Sequence, residues 1–158
     1  TTVTGSCIQN PKNLVIKVGT LFSEIIEQCG GFKEDKNVGK IIMGGPMMGI
    51  AQYTTNIPAN KGTSGILCLD EEESKTPKAQ NCLRCGKCLD ICPALLQPLY
   101  ISAYSLRGEY ENADNYRALD CIECGSCSFI CPARRPLLQS IRVAKKEIMT
   151  LRRNKTTK

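Results

Sequence analysis

Apolar positions in the first seventy or so residues recur with two different periods. In NLVIKVG, Leu14, Ile16 and Val18 fall on one side, the period-two signature of a half-buried strand. In TLFSEIIEQCGG the spacing becomes helical, and Leu21, Phe22, Ile25, Ile26 and Cys29 share a face. Thr20 stands where a helix cap belongs, and Gly30-Gly31 supplies the stop. KIIMGGPMMG reads as a short strand broken by a Gly-Gly-Pro turn, and GTSGILCLD as a further strand. Strands around one helix predict a small α+β unit over residues 1–69, of the β-grasp kind.

Periodicity then lapses. Residues 70–80, DEEESKTPKAQ, are acidic and then polar, and they predict a solvated linker. Beyond it, PLYISAYSLRGEYENADNYRALD predicts two short helices separated by Gly108, with Leu99, Ala103 and Leu106 inward on the first. Residues 136–153 predict one helix opened by Pro136, with Leu137, Ile141, Ala144, Ile148 and Leu151 along one stripe. Arg142, Lys145, Lys146, Arg152 and Arg153 lie mainly off that stripe. The domain reading is therefore 1–69, a linker at 70–80, a cysteine-bearing helical domain at 81–139, and a basic amphipathic helix and tail at 140–158.

Composition changes this picture at two points. The net charge is +6, but residues 134–158 carry nine Lys/Arg against one Glu, so the basic character belongs to the tail. That tail suits an acidic redox partner, an anionic membrane surface or nucleic acid; its plainer reading is a packed helix whose charges are solvated. With no aromatic residue to stack a base, nucleic acid is the weakest of these. There is also no histidine, which excludes imidazole acid–base catalysis, Ser–His and Cys–His nucleophiles, and Cys/His zinc fingers. No run approaches a membrane span. The chain opens at Thr1 without a Met or a charged-then-apolar leader, and we expect it to be part of a longer protein.

Eight of the 11 cysteines fall in two copies of one spacing, CLRCGKCLDICP from residue 82 and CIECGSCSFICP from residue 121. The offset of 39 extends to Asn81 and Asp120, Gly86 and Gly125, and Ala94 and Ala133. Cysteines so tightly clustered, and odd in total, suit metal centres in a reducing compartment better than disulfides. The run C-x2-C-x2-C-x3-C-P is the bacterial iron–sulfur pattern, in which the fourth cysteine serves the other cluster. Three thiolates in series wrap one face of a cubane, while the fourth opens a segment leading away. One [4Fe–4S] cluster is thus assigned to Cys82, Cys85, Cys88 and Cys131, and the other to Cys121, Cys124, Cys127 and Cys92. Arg84, Lys87, Arg134 and Arg135 stand near enough in sequence to moderate cluster charge, and Glu123 to oppose them. The alternative is a pair of four-cysteine zinc sites, but those come as two CxxC knuckles with a long loop between.

Cys7, Cys29 and Cys68 stand alone and read as buried inert thiols. MGGPMMG lacks any phosphate-loop pattern and reads as a turn, with close approach of a ligand as the alternative. No residue is placed to make or break substrate bonds.

Taken together, the two cysteine motifs, MGGPMMG, NIPANKGTSGILCL and ARRPLLQSIRVAKKEI resemble the RnfC family, a component of the Rnf electron-transport complex. The related RnfC-like protein associated with proline reductase shares this layout. The resemblance covers nearly the whole chain. It implies a soluble-ligand-binding β-grasp domain followed by a dicluster domain of the helical ferredoxin kind. It also implies a preceding domain, absent from this chain, that binds flavin mononucleotide and NADH. The expected setting is peripheral, on the cytoplasmic side of a membrane complex that couples ferredoxin–NAD electron flow to ion pumping. Expected partners are the other subunits and ferredoxin or another redox protein. A binding module with clusters as structural staples, and an iron–sulfur nucleic-acid protein, are the readings from other classes.

Overall fold

The computed structural model describes residues 1–156, and the chain divides into two compact units, Thr1–Thr76 and a second beginning at Pro77. The last two residues of the tail expected at 140–158 lie outside the described residues.

The first unit contains β1 (Thr2–Thr4), β2 (Lys12–Asn13), α1 (Phe22–Glu27), β3 (Val38–Met43), β4 (Ile50–Gln52), β5 (Gly65–Asp70) and α2 (Glu71–Ser74). Its strands form one sheet in the order β2-β1-β5-β3-β4. β1 and β5 run parallel at its centre, with Val3 opposite Ile66, and the other pairs are antiparallel. Ile66 and Cys68 alternate into the core while Leu67 and Leu69 are half-buried, as the pleat requires. Phe22, Ile25, Ile26 and Cys29 of the α1 segment close over that face, all essentially without solvent exposure. Cys7 and Cys68 are equally buried, so all three isolated thiols belong to the core, and burial pushes Cys68 up to about 12.

Three details differ from the pattern-based expectation. The stretch NLVIKVG is not a strand beyond Asn13. Leu14 and the Thr1 terminus exchange backbone hydrogen bonds of 2.8 and 2.7 Å, and the chain then leaves the sheet edge. Leu14 and Ile16 still pack against the core, but Val18 is 73% exposed. Thr20 does not cap α1, because its hydroxyl donates to the Lys17 carbonyl at 2.9 Å. The first helical N–H groups are satisfied from outside, Phe22 by Ile57 O at 3.0 Å and Ser23 by Thr55 O at 3.1 Å. At the other end Gly31 N reaches Ile26 O at 3.0 Å, so the Gly-Gly stop is as expected.

The third difference is at the boundary. Residues 71–74 are a helical turn rather than open linker. Asp70 caps it, accepting from Glu73 N at 2.9 Å and Glu72 N at 3.1 Å, and pairs with Lys36 Nζ at 2.7 Å. Ser6 Oγ donates to Glu73. The turn lies so close to β3 that a Cβ on Gly39 would sit 2.6 Å from Glu71 Cα and 2.7 Å from Asp70 O.

The second unit is helical: α3 (Lys87–Asp90), α4 (Pro98–Leu106), α5 (Tyr110–Asn115), a 3-10 turn (Ala118–Asp120), α6 (Ser126–Ile130) and α7 (Leu137–Thr156). Gly108, at φ 75°, separates α4 from α5 as expected. Ile101, Ala113, Leu137, Ile141, Ala144 and Ile148 form the core. Leu151, expected on the same stripe, is 44% exposed. The buried face of α4 is Ile101, Ser102 and Ser105, not the expected Leu99, Ala103 and Leu106; Leu106 is exposed. The serines are there because α4 lies against α7. Ser105 Oγ donates to Ser140 O at 2.6 Å, and Ser140 Oγ is 2.7 Å from Ser102 Oγ, so these buried hydroxyls all have partners.

Gly39→Ala is expected to push α2 off β3 and to lower stability by about 1–3 kcal/mol, read by thermal or denaturant unfolding of the first unit. The N–H groups of α2 and the Lys36 ammonium hold the Asp70 carboxyl down at about 2, against about 3.9 in an unfolded chain. Its contribution to stability is therefore present above about pH 4 and is lost as pH falls towards 2. A carboxyl NMR titration should place Asp70 near 2, and Lys36→Met should raise it.

Candidate metal centres

The two cysteine motifs fold into matching loops. Gly86 (φ 80°) and Gly125 (φ 81°) sit in the left-handed region immediately before α3 and α6. Arg84 (φ 53°) pairs with Glu123 (φ 59°), and Leu95 (φ 52°) with Arg134 (φ 51°), again at an offset of 39. A non-glycine residue in this region costs on the order of 1 kcal/mol, and such strain gathers at functional sites. Its local effect is visible in the N–H groups turned towards sulfur. Arg84 N is 3.3 Å from Cys82 Sγ, Glu123 N is 3.4 Å from Cys121 Sγ, and Leu96 N is 3.3 Å from Cys92 Sγ.

The eight thiols divide between two cavities. Cys82, Cys85 and Cys88 line the first together with Cys131, which comes from the other motif. Cys121, Cys124 and Cys127 line the second together with Cys92. The first is wide and open, about 680 Å³, and its Cys82 and Cys85 are exposed. The second is tight, with about 20 Å³ of free space, and its Cys127 is buried. Among the described residues no three Cys, His, Asp or Glu side chains converge on one point for a single ion. Two sets of four thiols without imidazole, each ringed by apolar groups, are the donor set that [4Fe–4S] ligation uses.

The thiols differ in acidity. Burial pushes Cys127 up to about 11 and also raises Cys88 and Cys121. Ser126 hydrogen bonds lower Cys124. Metal loading displaces these protons, most against resistance at the buried thiols.

Of the basic residues singled out in sequence, Arg84 and Arg135 line the first cavity; Lys87 and Arg134 line neither. Sequence reasoning does not single out Arg107. It completes a stripe on α4, Tyr100, Ala103, Tyr104 and Arg107, at i, i+3, i+4 and i+7, and that spacing is its available signal. Tyr116 stacks on Tyr100 at 5.5 Å and lies 5.3 Å from Tyr104, backing this wall.

Glu123 does not act as a bare opposing charge. It pairs with Lys145 Nζ at 2.7 Å and Arg142 Nε at 2.8 Å, and these cations hold its carboxyl below the usual carboxylate range. Lys145 also donates to Cys121 O at 2.6 Å, tying α7 to the second loop. Arg152 binds both carboxylate oxygens of Asp114. Part of the tail's charge is thus used within the unit.

Comparison with known proteins agrees with this geometry. Residues 1–51 match the SLBB domain, and residues 74–132 match the 4Fe-4S dicluster domain, a span that contains all eight motif cysteines. The chain is 53% identical over 152 residues to the RnfC-type component of the Na(+)-translocating ferredoxin:NAD(+) oxidoreductase complex of Acetobacterium woodii, covering 96% of this chain and 34% of that protein. It is 48% identical over 148 residues to the counterpart from the proton-translocating complex of Clostridium ljungdahlii, covering 93% and 32%. With the corresponding component of the ion-translocating oxidoreductase complex of Methanosarcina acetivorans the identity is 44% over 148 residues, covering 94% and 32%. The chain belongs to the RnfC family. It spans about a third of the length of these relatives. The matches support iron–sulfur electron transfer and give the proline reductase reading no support. No described helix is long and apolar enough to cross a membrane. In this RnfC-family chain the SLBB match ends before β5, yet β5 pairs with both β1 and β3 and completes the sheet.

Proposed function

We propose that this part of an RnfC-family protein relays electrons through two [4Fe–4S] clusters within a ferredoxin:NAD oxidoreductase complex. The observation that carries the reading is the division of eight thiols into two cavities, each completed by a cysteine of the opposite motif. Cys82, Cys85, Cys88 and Cys131 would hold one cluster, and Cys121, Cys124, Cys127 and Cys92 the other. When bound, each cluster would accept and pass on one electron at a time.

The chain's own residues supply the rest. Backbone N–H groups of residues 84, 96 and 123 face thiol sulfurs and favour their negative charge. Apolar groups such as Leu96, Leu138 and Ile141 keep the second cavity dry, whereas the first opens towards solvent and a redox partner.

The parallel β1–β5 pair, flanked by antiparallel strands and covered by α1, supports a β-grasp reading of the first unit. Flavin mononucleotide and NADH would bind in a part of the full-length protein outside this chain. Partners would be the other subunits of the complex and ferredoxin or another redox protein. The protein would then sit peripherally on the cytoplasmic side of the membrane.

The purified, reconstituted chain should carry about eight iron atoms and give reversible dithionite-reduced paramagnetic signals from both clusters. Zinc in place of iron would sink the reading. Cys131→Ala should remove the cluster of the first cavity and spare the second. Loss of the cluster held by Cys121, Cys124 and Cys127 instead would show that the fourth cysteine is not exchanged. NADH alone should leave the clusters oxidised, read as unchanged visible absorption, and bleaching without added flavoprotein would overturn the assignment of hydride chemistry elsewhere.

A further inference from the structure

The two motifs are near-copies, so the positions at which their cavities differ carry information. Position 96 follows Cys92 by four residues, and position 135 follows Cys131 by four. Each lines the cavity that its cysteine joins. In the second cavity that position is Leu96, 5% exposed, beside Ile141 and Leu138. In the first it is Arg135, and its Nε is buried without a hydrogen-bond partner.

A buried, unpaired N–H costs about 1–3 kcal/mol, so an orphan beside four thiols calls for an acceptor. The surroundings point the same way. Arg84, Arg107 and Arg135 line the first cavity, and no acidic side chain does. No charged side chain lines the second. The cations nearest the second loop, Lys145 and Arg142, are shared with Glu123, which stands where the first loop has Arg84.

Resting on the two-cluster reading, we propose that Arg135 donates its Nε–H to the sulfur of the cluster held in the first cavity and makes that cluster the more easily reduced of the pair. Reduction adds one negative charge to an already anionic four-thiolate centre. Donors and cations around it favour the reduced form, whereas an apolar, closed surround disfavours it. The electron therefore rests in the open cavity, where Cys82 and Cys85 are exposed. The closed cavity is the uphill step between that site and whatever lies beyond it.

The test is a dithionite redox titration of the reconstituted chain followed by electron paramagnetic resonance, with Cys131→Ala identifying the first-cavity signal. That signal should appear first in the unaltered protein. Arg135→Leu, which installs the residue of the other half, should move its midpoint negative and leave the second midpoint in place. Arg135→Lys keeps the charge but lacks the planar Nε–H, so its midpoint should fall between those of the unaltered protein and Arg135→Leu. If Arg135→Leu fails to retain iron, Arg135→Lys decides alone: a midpoint below that of the unaltered protein supports the donor, and an unchanged one overturns it. A second-cavity signal that appears first, no shift in Arg135→Leu, or equal shifts of both signals would also overturn it. Iron far below eight atoms in the unaltered chain would defeat the two-cluster reading itself, and this proposal with it.

Discussion

Much of the second unit depends on one constraint: neither cysteine loop closes its own cavity. Three thiols can be delivered by a local turn, but the fourth has to arrive from about forty residues away in sequence. Its position is only as good as the frame that carries it. That frame is α4 against α7, brought close by serines whose hydroxyls bond to one another and to backbone. Small side chains let the two helices approach, and full satisfaction of their polar atoms makes one spacing preferable to its neighbours. Lys145 then reaches from α7 to the carbonyl of Cys121, so the same helix that supports the frame also sets the second loop.

Around this shared geometry the two cavities differ in chemistry. The first is broad, open and lined by three guanidinium groups; the second is narrow and apolar. The difference lies almost entirely in side chains on duplicated backbone positions, since the left-handed residues recur in register. Geometry was thus retained while the electrostatic surround diverged, as a relay between unlike neighbours requires. The first unit shows a comparable economy at its edge. Asp70 ends a strand, caps a turn and pairs with Lys36, and the acidic stretch after it folds back instead of running free.

The parts legible in the sequence were those governed by local spacing. Cysteines three apart dictate a loop around a metal, Gly108 breaks a helix, and Ile66 and Cys68 alternate as a strand must. The assignment of Cys92 and Cys131 to opposite cavities was also legible, because a fourth cysteine followed by Pro cannot remain in the same tight turn. What could not be read depended on tertiary partners. Thr20 looks like a cap, but the 54–58 segment already satisfies the start of α1. Residues 71–74 look like linker, and only the missing side chain at Gly39 reveals that a turn lies against β3. Arg107 resembles an ordinary helix-end cation until its stripe is seen on a cavity wall. Glu123 looks like an opposing charge, and two cations on a helix nearly twenty residues away neutralise it.

The crossed arrangement bears on how such a unit can arise. One copy of the motif presents three thiols to its own cavity and sends the fourth out, so alone it completes nothing. Two identical copies facing each other about a twofold axis would complete both cavities at once, an isologous pairing in which each half supplies what the other lacks. Joining the copies through α4 and α5 makes that pairing intramolecular, replacing a concentration-dependent encounter with the fixed local concentration of a tether. It also releases the two halves from identity. In a symmetric dimer every substitution is made twice; in the joined chain position 96 can be leucine while position 135 is arginine.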